Sequence, residues 1–210
     1  MLDTIIAPLK PYIGYPVRSL SQQFTTNHQH KGLAGHLIER ALGVTNSSLP
    51  QPDLPEWGIE IKTIPITAQG MPLEHTFINK ISLPFDESSF EKSSTWLKMK
   101  KILWVPLIGE RSCIGLEKII GNPFLWTPDH QTAEQLREDW YEITAYLRLG
   151  EYYSITSHLG EYLHVRPKAA NSSEKIHLLI NGHLQNILPI GFYLRKTLTS
   201  MLIASYYEGF

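Results

Sequence analysis

Apolar residues recur at helical spacing from Lys31 to Leu42 (KGLAGHLIERAL), where Leu33, Leu37, Ala41 and Leu42 fall on one side and Gly43 follows as a stop. A loop rich in Ser and Pro, Thr45 to Pro55, comes next. The period then drops to two. In WGIEIKTIPI, Trp57, Ile59 and Ile61 alternate with Gly58, Glu60 and Lys62, which predicts a strand from Trp57 to Ile66. Further strands are expected over His75 to Leu83 and over Lys101 to Ile108, the second mostly buried. Thr127-Pro128 opens a long helix to about Leu149, with Gly150 behind it. Beyond it the pattern predicts a short strand over Tyr162 to Val165, a helical turn over Lys175 to Ile180, and a C-terminal helix over Arg195 to Tyr207. Strands bracketed by helices make a mixed α/β or α+β protein. The sequence shows no internal repeat or low-complexity stretch.

A length of 210 residues suits one domain, or one domain opened into two lobes around a cleft. Hydrophobic content of 42% and charged content of 19% are those of an ordinary soluble protein. Cys113 is the sole cysteine, so no intrachain disulfide forms and a reducing compartment is expected. The N-terminus carries no basic region followed by a long apolar stretch, and the strongest apolar run, Ile102 to Ile108, is too short to span a membrane. The expectation is a soluble, cytoplasmic protein.

The net charge of −1 argues against a uniformly basic, phosphate-binding surface. Its distribution is uneven, however. Lys92 to Lys118 holds six Lys or Arg against two acids, and Asp129 to Glu151 holds six acids against Arg137 and Arg148. A basic face and an acidic face can therefore coexist.

The chemistry-bearing group is Asp53, Glu60 and Lys62. Glu60 and Lys62 are two apart on the predicted strand and leave it on one face, while Ile59 and Ile61 anchor the other. Asp53 lies in the turn feeding that strand (QPDLPEWG), within reach of Glu60. Two carboxylates at one point suit Mg²⁺, which takes one or two carboxylates, waters and a substrate phosphate. A lysine beside them can stabilise charge developing on phosphorus or orient the attacking water. Glu39, on the preceding helix, offers a third acid. Glu60-Ile61-Lys62 is the only acid-x-Lys triplet in the chain. A solvated strand face also places Glu and Lys at alternate positions, so the triplet by itself does not decide. His28, His30 and His36 invite a zinc reading, but four tetrahedral ligands are needed and Cys113 is far off in sequence. No G-x-S-x-G, P-loop or H-E-x-x-H pattern occurs.

The segments KGLAGHLIERALG, QPDLPEWGIEIKTIPIT, LEHTFI, KKILWVPL, LREDW, EYLHVRPKAAN and GFYLRKTLTS, in that order from about Lys31 to Ser200, resemble successive blocks of the MutH family. The resemblance implies a restriction-endonuclease-like fold, a central mixed sheet flanked by helices, in a single domain with a catalytic lobe over about 1–110 and a DNA-recognition lobe over about 111–210. It implies a mismatch repair endonuclease, nicking the unmethylated strand of duplex DNA at hemimethylated GATC sites with one or two Mg²⁺ ions. MutL would be its activator, MutS an indirect partner, and the protein a monomer. Position by position, Asp53 and Glu60 would be the metal ligands, Lys62 the catalytic lysine, Glu39 an additional acid and Lys98 an auxiliary lysine. Lys31, Phe77, Arg166, Lys168 and Tyr193 would contact DNA, with Arg166 suited to a guanine edge and Tyr193 near the adenine methyl position. Two rivals remain at this stage: a stand-alone type II restriction enzyme cutting both strands, and a DNA-binding module without catalysis.

Overall fold

The computed structural model describes residues 2–22, 32–44, 51–168, 174–180 and 183–207. Its helices are α1 (Leu2–Ile6), α2 (Leu33–Ala41), α3 (Ser94–Met99), α4 (His130–Leu149) and α5 (Lys196–Tyr207). Its strands are β1 (Glu60–Ile66), β2 (Thr76–Lys80), β3 (Ile102–Ile108), β4 (Ile119–Ile120), β5 (Phe124–Trp126), β6 (Leu163–Pro167), β7 (Ile176–Ile180), β8 (His183–Ile187) and β9 (Ile190–Leu194). Residues group into two compact units: 1–74 with 101–127 and 199–210, and 75–100 with 128–198. The expected single division near residue 110 differs from these units. β1 and β3 pair in parallel, and a parallel pair needs a long crossover. Here the crossover carries β2 and α3, which belong to the second unit.

The first unit is built on β1 and β3, with β4 and β5 both pairing antiparallel to the far side of β3. Val-, Ile- and Leu-rich β3 is buried through Leu107, as a strand covered on both faces must be. Pro106 sits where the β4 and β5 pairings meet, and its carbonyl accepts the Gly121 N–H at 2.8 Å. Its missing N–H therefore interrupts neither ladder. Ile59, Ile61, Leu103, Val105 and Leu107 form one core with Leu33, Leu37 and Ile38 of α2 and with Ile5, Leu9 and Leu20 of the N-terminal segment. Gly35 brings α2 close to β1, since a methyl group there would lie 3.5 Å from the Thr63 hydroxyl.

The second unit is a three-stranded antiparallel sheet in the order β2-β9-β6, with the separate β7-β8 hairpin. Alternation gives the sheet two different faces. Leu163, Val165, Phe192 and Leu194 are buried on one side, where Leu136, Trp140, Ile143 and Leu147 give α4 its buried stripe. Asp129 caps α4, accepting the Thr132 N–H at 2.7 Å, and Gly150 ends it with φ at 74°. The cap thus falls two residues beyond Thr127 and one beyond Pro128. Residues Lys175 to Ile180, expected as a helical turn, form β7, because Ile176, Leu178 and Ile180 alternate and a partner strand follows immediately.

Asp139, 3% exposed, sets the position of β6. Its carboxylate accepts the N–H groups of Glu161, Tyr162 and Leu163 at 2.7–2.8 Å and the Gln135 side-chain amide at 3.0 Å. Arg195 holds the same loop from its carbonyls, donating to Ser157, Leu159 and Gly160. Gly160 has φ at 75° and no room for a side chain, since a Cβ would come 1.9 Å from the Leu163 oxygen. Removing the carboxylate strands three backbone donors, of which the Leu163 N–H is buried and those of Glu161 and Tyr162 are partly so. Asp139→Ala is expected to lower the free energy of unfolding by on the order of 3 kcal/mol, read from urea titration by circular dichroism. A loss under about 1 kcal/mol would show that the loop holds without it.

Candidate active site and nucleic-acid interface

Among the described residues β1 is an edge strand, paired only with β3. The Glu60 N–H donates to the Lys101 carbonyl at 3.0 Å on the β3 side. The next residue, Ile61, therefore directs its N–H to the open edge, where Asp53 Oδ2 accepts it at 2.9 Å. The turn carrying Asp53 is closed below by Leu54 and Ile59, which exchange N–H···O bonds of 2.8 and 3.2 Å. Trp57 and Gly58, expected at the start of the strand, lie in this turn instead. Gly58 takes φ of 63°, which ends the extended run. Asp53 is thus anchored one residue from Glu60 along one strand.

Glu60 is 1% exposed, and Lys62 Nζ donates to its Oε1 at 2.6 Å. A buried carboxylate with an ammonium on it is balanced, and losing either partner leaves the other charge uncompensated. Two anchored carboxylates one residue apart are hard-oxygen donors of the type Mg²⁺ takes, and the lysine repels rather than ligates a cation. The donor set fits the ion that the sequence implies. Glu39 lies in the last turn of α2 with its carboxylate 3.9 Å from His36 Nδ1. The next turn of chain, Leu42 to Val44, borders a hollow of about 450 Å³ together with Asp53. Among the described residues no group of three or more His, Cys, Asp or Glu side chains is arranged to hold a metal ion. Lys98 is buried on α3 in the second unit. Lys31 lies outside the described residues.

The second unit gathers the other expected residues on the open face of its sheet. Tyr193 of β9 pairs across to Phe77 of β2 and to His164 of β6. The Phe77 and Tyr193 rings meet edge-on at 5.3 Å. Lys168 Nζ stands 4.1 Å over the Phe77 ring, a cation–π contact. Gly191 makes room for that ring, because a Cβ there would lie 2.8 Å from Phe77 Cε2. Arg166, two residues past His164, leaves β6 on the same face and is exposed, as is Lys168. Cations and aromatic edges together on an antiparallel surface are what contact with phosphates and base edges requires.

Two histidines on this face are absent from the expected set. His164 is 2% exposed, its ring 4.5 Å from that of His75 and 6.2 Å from Tyr193. Burial, then the charges of Arg195, His75 and Arg166, push it down to about 4, and a hydrogen bond with the Ser157 backbone, the smallest contribution, acts in the opposite direction. His75 is lowered too, first by burial and then by Arg166, Lys196 and Arg195. The strand period would have shown His164: once β6 runs to Pro167, His164 and Arg166 must share a face.

A mixed sheet flanked by helices, with an acid-x-lysine strand fed by a turn carboxylate, is the restriction-endonuclease-like class. Residues 42–139 match the family model described as DNA mismatch repair enzyme MutH. The chain is similar to the DNA mismatch repair protein MutH of Haemophilus ducreyi, 38% identical over 93% of this chain and 89% of that one. It is likewise similar to those of Pasteurella multocida (42% identical, 85% and 82% covered) and Escherichia coli (40%, 84% and 78%). The chain belongs to the MutH family of DNA mismatch repair endonucleases. No helix among the described residues is long and apolar enough to cross a membrane.

The lowered His164 gives a signed pH dependence. Unfolded, the imidazole takes a proton below its ordinary 6.5; folded, it stays neutral to about 4. The destabilisation is absent above pH 6.5, grows as pH falls through the window from 6.5 to 4, and is complete below it. His164→Phe should remove this part of the acid sensitivity, on the order of 3 kcal/mol across the window. Urea midpoints at pH 7.5, 6, 5 and 4.5 check it; parallel profiles for wild type and variant would contradict it.

Proposed function

We propose that this endonuclease is Mg²⁺-dependent and nicks the unmethylated strand of duplex DNA at hemimethylated GATC sites. The carrying observation is the anchoring of Asp53 beside Glu60 on the open edge of β1, with Lys62 on the Glu60 carboxylate. Asp53 and Glu60 would hold the ion, and Glu39 adds a further acid from the end of α2. When bound, the ion polarises the phosphodiester and stabilises charge on its non-bridging oxygens. Lys62 releases part of its hold on Glu60 to the phosphate, where its ammonium offsets the developing negative charge and orients the attacking water. Water oxygen bonds to phosphorus in line and gives up a proton to solvent, the opposite P–O bond breaks, and the departing oxygen takes a proton from solvent to leave as a hydroxyl. No covalent intermediate with the protein is formed.

Hydrolysis is the same at every phosphodiester, so site choice belongs to groups that touch base edges. Arg166 reads a guanine through O6 and N7, Lys168 and Lys31 contact the backbone, Phe77 lies near the DNA, and Tyr193 packs where an adenine N6-methyl would protrude. The resemblance further supports activation by MutL, an indirect link to MutS, a cytoplasmic location and action as a monomer.

Adding Mg²⁺ to the protein and a hemimethylated GATC plasmid should give a nicked circle. A linear product would mean a restriction enzyme cutting both strands, and a shifted band without cleavage a DNA-binding module. Asp53→Ala and Glu60→Ala should each slow nicking by about a thousandfold, on the order of 4 kcal/mol, with DNA binding nearly unchanged. Nicking within tenfold of wild type at saturating Mg²⁺, in a variant with wild-type circular dichroism, would remove the site assignment. Lys62→Ala should lose activity yet bind the ion as tightly or more tightly by calorimetry, because it unmasks Glu60.

The face on β9 and β6 is tested separately. Arg166→Ala should weaken binding at the specific site by about 1–3 kcal/mol and nonspecific binding much less. Tyr193→Ser should let fully methylated sites be nicked relatively better. Equal slowing on unmethylated, hemimethylated and fully methylated duplexes would make Tyr193 a packing residue only.

A further inference from the structure

The two acids of the site stand on either side of one turn: Asp53 enters it and Glu60 leaves it. Inside the turn the Trp57 N–H donates to the Leu54 carbonyl at 3.1 Å and the Gly58 N–H to the Pro55 carbonyl at 3.2 Å. Pro55, Glu56 and Trp57 are exposed, and the chain from Pro52 to Trp57 borders the hollow of about 450 Å³. A segment beside a hollow has little apolar packing on that side, so hydrogen bonds from outside the turn carry more of its position. One such bond comes from Lys101, a cation of the basic stretch from Lys92 to Lys118. Its Nζ donates to the Trp57 carbonyl at 3.3 Å. Its own carbonyl, immediately before β3, accepts the Glu60 N–H at 3.0 Å. A single residue therefore grips the exposed arm of the turn with its side chain and the start of β1 with its backbone.

We propose that Lys101 is a positioning residue for the hydrolysis, acting through Asp53. It ties the turn to the start of β3 so that the Asp53 carboxylate keeps its place beside Glu60. The inference rests on the reading of Asp53 and Glu60 as the metal ligands. Leu54 and Ile59 close the turn with one pair of backbone bonds, which leaves it free to rock about the open edge of β1. The bond from Lys101 to Trp57 holds the turn at a second point, away from that pair, and two points of attachment fix an angle. Small errors of angle matter here, because misplacing a reacting group by about 1 Å costs on the order of a hundredfold in rate. Loosening one of two attachments displaces Asp53 less than that and costs correspondingly less. The other part open to a lysine of an endonuclease is contact with a DNA phosphate, and the two parts separate by experiment.

Lys101→Met keeps the side-chain stem and removes the donor, whereas Lys101→Arg keeps a donor of similar reach. Lys101→Met, with wild-type circular dichroism, should nick about tenfold more slowly in single turnovers at saturating DNA and bind Mg²⁺ about tenfold more weakly by calorimetry. Its affinity for DNA, read by fluorescence anisotropy without a divalent ion, should stay within about twofold of wild type, with the same dependence on salt. Lys101→Arg should recover most of both losses. In the Asp53→Ala background Lys101→Met should add nothing further, because its effect passes through that carboxylate. A residue that only stabilises the fold would add its effect in either background. Wild-type nicking and Mg²⁺ affinity in Lys101→Met would overturn the proposal. So would weaker DNA binding with a salt slope lower by about one and Mg²⁺ affinity kept, the mark of a lost phosphate contact. Lys101→Arg performing no better than Lys101→Met, both folded, would also overturn it. Asp53→Ala separates the two levels. If Asp53→Ala itself keeps nicking and Mg²⁺ affinity, the metal-site assignment goes and the part given to Lys101 goes with it. If Asp53→Ala loses both while Lys101→Met loses neither, only the inference about Lys101 fails.

Discussion

The parallel pairing of β1 with β3 is the constraint from which the remaining architecture follows. A parallel partner cannot be reached by a tight turn, so the chain must leave the sheet and return. The excursion from 67 to 101 contributes β2 and α3 to the second unit before β3 comes back beside β1. With β4 and β5 occupying the far side of β3, β1 keeps one edge open. That edge would otherwise be a liability, a row of unpaired N–H and C=O groups. The chain covers it with its own turns: Leu54 pairs with Ile59, Asp53 takes the Ile61 N–H, and the Leu73 N–H bonds the Pro65 carbonyl. Pro65 is tolerated because its missing donor also falls on this side. One of those edge covers is a carboxylate, and it is the one that stands beside Glu60.

The second unit solves a different problem, presenting charge on one side of a thin sheet. Three strands with one apolar face need a helix against that face, and α4 supplies Trp140, Ile143 and Leu147. What remains open must carry Arg166, Lys168 and Tyr193 without collapsing. Rigidity comes from below. Asp139 ties the start of β6 to α4 through three N–H bonds, and Arg195 holds the carbonyls of the same loop. The two clamps act on opposite ends of the peptide dipoles of one loop, so β6 enters the sheet in a fixed register. Arg195 also sits next to Leu194 at the end of β9, which links the register of β6 to that of its partner.

How far the sequence discloses this depends on the range of the interaction concerned. The alternation of Ile59, Ile61, Glu60 and Lys62 is local, and it sets Glu60 beside Lys62 while Ile59 and Ile61 enter the core. The reach of Asp53 to the Ile61 N–H is only eight residues long, and turn-rich QPDLPEWG makes it legible. The limits of elements are less so. Trp57 looks like a strand residue by hydrophobicity, but positive φ at Gly58 decides otherwise. β7 looks ambiguous in isolation, because only pairing with β8 commits Ile176, Leu178 and Ile180 to an extended form. The Asn181-Gly182 pair between them is a hairpin signal that outweighs weak local propensity. Asp139 and Arg195 are invisible as clamps, since the groups they bind lie more than 20 residues away and are backbone atoms that every sequence has. His164 escapes notice for a related reason: a strand expected to stop at Val165 gives no cause to place it beside Arg166.

The near-neutral charge of the chain acquires a physical meaning in the second unit. Asp129 to Glu151 is acidic because it is α4, whose inward stripe is apolar apart from Asp139 and Thr144, and whose Glu138 and Glu142 are exposed. The cations of β6 and its extension leave the sheet from the opposite face. Charges of the two signs are thus held apart by the thickness of a sheet and a helix, roughly a Debye length at physiological salt. Over such a distance exposed charges are largely screened from one another, so the acids on α4 do not cancel the field of the Arg166 and Lys168 face. A formal charge of −1 therefore constrains solubility, not the sign of the surface that meets a phosphate. Both histidines of this face are lowered from the ordinary imidazole value. Burial acts first on each and the local cations second, with no carboxylate among the groups that set either one.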